Sequence, residues 1–106
     1  MNFKLNRTQL EGIHYLLTAA LRMHQPTNMA DSLLTELVDG VNDRIRAKIK
    51  KAEFNNKTGF SLKLNSKEAK ALYCWFNQIE QSMGEHYQYE CIITRQIVND
   101  IDKEYA

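Results

Sequence analysis

The chain is poor in the residues that build loops. One proline and four glycines in 106 residues leave little material for irregular connections and favour long regular elements. Two cysteines, Cys74 and Cys91, match no disulfide framework and no redox motif, and both sit in apolar helical patterns. No run approaches the 18 apolar residues of a membrane span. The opening Met1–Asn6 lacks a basic stretch followed by an apolar one, so no secretory leader is expected, and the expected compartment is the cytoplasm. Formal net charge is only +1, so the whole molecule is not a polycation and any attraction to nucleic acid would need a local patch.

What the chain has is periodicity. Phe3 and Leu5 alternate with Asn2 and Lys4, the pattern of a short half-buried strand. Asn6 then reads as an N-cap with Gln9 three residues on to complete a capping box, and Leu5 with Leu10 forms a hydrophobic staple. Leu10, Ile13, Leu16, Leu17, Ala20, Leu21 and Met23 predict a helix over 7–24, stopped at Gln25-Pro26. A second helix is expected from about Asn28 to Glu53 or Phe54, with Leu33, Leu34, Leu37, Val38, Val41, Ile45 and Ile49 on its apolar face. Gly40 inside it is a candidate for close helix contact. Asn55 to Gly59 has strong turn chemistry.

The same order then returns. Phe60, Leu62 and Leu64 alternate, and Asn65 with Glu68 repeats the capping box. Ala69, Leu72, Tyr73, Phe76, Ile79 and Met83 mark a third helix, with Trp75 beside them. Gly84 is the expected left-handed cap. Tyr89, Ile92, Ile93, Ile97, Val98, Ile101 and Tyr105 mark a fourth. Lys4-Leu5-Asn6 recurs as Lys63-Leu64-Asn65, and an offset of 59 lays Ile13 on Leu72, Leu16 on Trp75 and Leu17 on Phe76. One residue more lays Leu33, Leu37, Val38 and Val41 on Ile93, Ile97, Val98 and Ile101. The expected architecture is mainly α: a single domain over 1–106, made of two tandem β-α-α units (about 1–59 and 60–106). Two helical hairpins form a four-helix bundle, with a short two-stranded antiparallel ribbon.

No constellation in the sequence carries chemistry. The histidines (His14, His24, His86) and thiols lack zinc-site spacing, and Glu11-Gly12-Ile13-His14 is a lone Glu-x-x-His string where a di-metal bundle requires two. No catalytic residue, metal or cofactor is assigned, and the chain is expected not to be an enzyme. Two surfaces are candidates instead. Arg44, Arg46, Lys48, Lys50, Lys51 and Lys57 face one acid, Glu53, where the second helix outlasts the fourth. That patch suits an anionic partner, or a solvated helix end. Trp75, Tyr87 and Tyr89 serve either core and boundary packing or an aromatic contact surface for a partner. The expected function is protein–protein interaction, as an adaptor or small regulatory domain whose partner is another protein or a second copy. The alternative is weak, sequence-tolerant nucleic-acid binding through the basic end of the second helix.

Overall fold

Each half of the chain starts with a strand that delivers an asparagine to the first turn of a helix. Asn6 accepts from the Gln9 amide at 2.8 Å while the Gln9 side chain accepts from the Asn6 amide at 2.9 Å. Asn65 and Glu68 repeat both bonds at 2.8 and 2.9 Å. Two orphan amides are therefore satisfied at the head of each hairpin. The computed structural model describes residues 1–55 and 59–106. Most of the expected turn after the second helix, and Lys57 of the basic patch, lie outside them.

The elements run β1 (Asn2–Asn6), α1 (Arg7–Met23), α2 (Met29–Asn55), β2 (Gly59–Lys63), α3 (Ser66–Met83) and α4 (Gln88–Tyr105). Asn28 starts α2 by accepting from the Asp31 amide at 2.8 Å. The two strands pair antiparallel, with Phe3 opposite Leu62 and Leu5 opposite Phe60. All four of these side chains point into the core. Helix packing runs in a ring, α1 on α2, α2 on α3, α3 on α4 and α4 on α1. The result is a mainly helical four-helix globule carrying a two-stranded sheet, with a radius of gyration of 13.2 Å, close to the ~13 Å of a compact chain of about this length.

The core joins both halves. Leu16 and Trp75, Leu17 and Phe76, and Ile13 and Leu72 are paired by the 59-residue offset and are all buried. So are Val38 with Val98 and Val41 with Ile101 at the offset of 60. The correspondence breaks at Leu33, which is exposed where Ile93 is buried. In α2 the inward positions are Asp31, Val38, Val41, Asn42, Ile45 and Ala52, so the apolar stripe of the sequence is wider than the face its neighbours cover.

Helix α4 differs from expectation in the same way. Its inward residues are Cys91, Ile93, Thr94, Ile97, Val98 and Ile101, which turns Tyr89, Ile92 and Tyr105 outward. Thr94 tolerates burial because its hydroxyl donates to the Glu90 carbonyl at 2.8 Å. Met23, at the end of α1, is also exposed. Gly84 is right-handed (φ −62°, ψ −30°), not a left-handed cap, and a further turn follows in which the Tyr87 amide donates to Met83 at 3.0 Å. The close glycine contact is at Gly12, not Gly40: nothing lies within 4 Å of a Cβ placed at Gly40.

Candidate interaction surfaces

The basic patch is partly consumed by the fold. Arg44 Nη2 donates to the Lys63 carbonyl at 3.0 Å and lies 3.0 Å from Glu68 Oε2. The guanidinium thus ties α2 to the end of β2 and the first turn of α3. Arg46 pairs at 2.7 Å with Asp43, one turn upstream of it and immediately before the basic run. Lys48, Lys50 and Lys51 are exposed, and among the described residues no ion pair engages them. Among the described residues of the patch, the group available to an anion is therefore three lysines on one helix.

The expected aromatic surface also needs redrawing. Trp75 is 0% exposed, in the centre of the core, so it presents nothing to a partner. It lies on the inward face of α3 with Ala71, Leu72, Phe76 and Ile79. Tyr87 is half-buried and Tyr89 is 51% exposed. The missing member is Tyr15, at 58% exposure, whose ring lies 5.5 Å from that of Tyr87 at 52°. Tilted packing of this kind is favourable for two rings.

Gly12 explains why these side chains meet. A Cβ there would stand 3.4 Å from Ile93 Cδ1, 3.6 Å from Tyr89 Cε1 and 3.9 Å from Glu90 Cγ. The Tyr89 ring therefore lies against bare backbone of α1, one turn from Tyr15. Ile92, 60% exposed and one turn beyond Tyr89 on α4, extends the surface. Tyr15, Tyr87 and Tyr89 line the α1–α4 seam, and Ile92 stands exposed on α4 between that seam and the α3–α4 groove. The margin of the seam is acidic: Glu85 is exposed, Glu90 is half-buried, and Glu11 pairs with Arg7 at 2.6 Å.

On the other flank of α4 lies a shallow groove of about 430 Å³ between α3 and α4 that includes Gly84, Cys91, Ile92 and Arg95. Arg95 is engaged by α3. Its Nε donates to Glu80 Oε2 at 3.0 Å, its Nη2 meets the second Glu80 oxygen and donates to Asn77 at 3.1 Å, and its guanidinium stands 4.8 Å from the Phe76 ring centre. The hydrogen bond to Glu80 holds its proton more firmly still. Burial pushes the Cys91 thiol up, with Glu80 and Glu90 adding to the rise, so it is a poor nucleophile at neutral pH.

Two polar clusters inside the bundle are bonded internally, whereas the buried Nε1 of Trp75 has no hydrogen-bond partner among the described residues. Asn42, 1% exposed, receives His14 Nδ1 at 2.9 Å on its amide oxygen and donates through Nδ2 to Thr18 at 3.1 Å. His24 Nε2 lies 3.1 Å from Asp31, whose carboxylate also accepts the Thr27 amide at 3.1 Å. These are α1–α2 fastenings. Among the described residues no group of three or more His, Cys, Asp or Glu side chains is placed to hold a metal ion, and no helix is long and apolar enough to cross a membrane. Comparison with known protein families, with curated proteins and with solved structures finds no match for this chain.

Proposed function

We propose that the protein is a non-enzymatic interaction module that docks an amphipathic helix of a partner protein across the α1–α4 seam. The observation that carries this reading is the exposure of Tyr89 against Gly12, with exposed Tyr15 one turn along α1 and exposed Ile92 one turn along α4. Tyrosines on a rigid helical face supply large contact area at little conformational cost, and such residues are enriched at interfaces. Exposed apolar side chains one turn apart on neighbouring helices suit a helix with apolar residues at i, i+3, i+4 and i+7. Glu85 and Glu90 at the margin of the seam favour a partner whose flanks carry lysine or arginine.

A panel of synthetic amphipathic helices with lysine-rich flanks, matched against the same helices with glutamate flanks, tests this. The lysine-flanked set should bind the wild-type chain and lose binding to Ile92→Asp. Binding that ignores the flank charge, or that survives Ile92→Asp, would refute it.

Among the described residues of the patch, the nucleic-acid alternative rests on Lys48, Lys50 and Lys51. With Arg44 and Arg46 turned to intramolecular carboxylates, it would amount to contacts with a few phosphates, steeply weakened by salt.

A further inference from the structure

A second surface lies at the end of α2 and is independent of the α1–α4 seam. Phe54 is 88% exposed in the last turn of α2, the least covered aromatic side chain among the described residues. Lys50 and Lys51 stand four and three residues before it, on the same side of the helix. The unit is a protruding aromatic knob with two cations beside it.

The bundle also carries a complementary socket. Between α3 and α4 a groove of about 300 Å³, room for one aromatic side chain, is walled by Tyr73, Cys74, Ile101 and Tyr105. Lys70 closes one side with its ammonium 5.1 Å from the centre of the Tyr105 ring, and Asp102 stands at the other. Asp100, Asp102 and Glu104 crowd the C-terminal end of α4 against Lys103 on the same helix and Lys70 across the groove. Negative side chains there add to the negative potential of the unpaired carbonyls, so that end is short of cations. The end of α2 carries the opposite excess, Lys48, Lys50 and Lys51 against Glu53.

We infer that the occupant of this groove is a second copy of the chain, with Phe54 of one molecule seated between Tyr73 and Tyr105 of the other and Lys50 and Lys51 facing Asp102. Knob, socket and opposite charges all belong to one chain. A contact made twice about a twofold axis closes a dimer, and one made head to tail continues into longer assemblies. Cys74 in the socket wall reports occupancy directly, since it is exposed in the free chain.

Sedimentation of the intact chain from low micromolar to near-millimolar concentration, run beside alkylation of Cys74, tests the assignment. The weight-average mass should rise with concentration and fall with added salt, and Cys74 should alkylate more slowly over the same range. Phe54→Ser should weaken association by about tenfold or more and release Cys74, with thermal unfolding unchanged because the side chain is already in solvent. Asp102→Lys should weaken association, as should Lys50→Glu with Lys51→Glu, and the three changes together should recover it. A chain that stays monomeric throughout, association that leaves Cys74 unprotected or ignores Phe54→Ser, or a combined variant that recovers nothing would each overturn the inference. So would a monomer that binds anionic vesicles through Phe54 and the lysines. None of these results bears on the α1–α4 seam.

Discussion

Arg44 and Glu68 meet at 3.0 Å across 24 residues of sequence, and Glu68 uses its other carboxylate oxygen to accept the Asn65 amide at 2.9 Å. One carboxylate thus starts α3 and ties it to α2. Gln9, its counterpart in the first half, closes the cap of α1 with no basic partner.

The two caps should therefore differ in strength. Gln9→Ala should cost about 0.5–1 kcal/mol, the loss of a helix-capping bond, and Glu68→Ala about 1–2 kcal/mol, because a partly exposed ion pair goes with it. Urea unfolding followed by Trp75 fluorescence measures both. In a double-mutant cycle Arg44→Ala and Glu68→Ala should be non-additive, whereas Arg44→Ala and Gln9→Ala should simply add.

Gly40 stands exposed in the interior of α2, with open space where a side chain would go. Gly40→Ala should stabilise the fold by about 0.5–1 kcal/mol, by the helix-propensity difference. That corresponds to a few degrees in Tm for a chain of this size, roughly 4–8 °C per kcal/mol. Gly12→Phe should have the opposite effect, because a ring at that position enters the space of Ile93 and Tyr89. Calorimetry of the two variants gives both signs.

Asn42 binds two partners inside the α1–α2 interface. Asn42→Ala leaves His14 and Thr18 without that acceptor and donor, and should cost about 1–3 kcal/mol, the range for stranding buried polar groups. Denaturant unfolding measures the loss.

The thiols should separate by reactivity and by pH. Cys74 should react with a maleimide in the native protein, and Cys91 only on unfolding. Burial, Glu80 and Glu90 raise the Cys91 thiol above its unfolded value, while Arg95 opposes them. An unfolded cysteine ionises near about pH 8.5, where the folded thiol is still protonated. The stability this group contributes is therefore complete below about pH 8.5 and declines as pH rises toward its folded value. In Cys91→Ala that part of the alkaline decline should be absent.

Much of this architecture was legible because it is written locally. Asn6 with Gln9 and Asn65 with Glu68 need only three residues to be recognised, and the alternation of Phe3, Leu5, Phe60 and Leu62 marks the ribbon face. The surfaces were less legible, for a physical reason. Apolar period shows that a helix has a buried side, but not how much of a wide stripe its neighbours cover. Tyr89, Ile92 and Leu33 look like core residues in sequence and stand in solvent, while Cys91, Thr94 and Asn42 take inward positions. For Trp75, core packing and an aromatic contact surface were both open readings, and its full burial selects the core. The partners of Arg44 and Arg95 lie 24 and 15 residues away, so no local pattern shows that these charges are already matched.

Photocrosslinking in cells tests the central claim, that the α1–α4 seam is a docking site, most directly. The chain would carry a photoreactive side chain at position 89 or, as control, in place of exposed Glu36 on α2. A discrete adduct with another protein should form from position 89, be absent from position 36, and disappear when Ile92→Asp is added. No adduct from position 89, or equal adducts from both positions, would contradict the account.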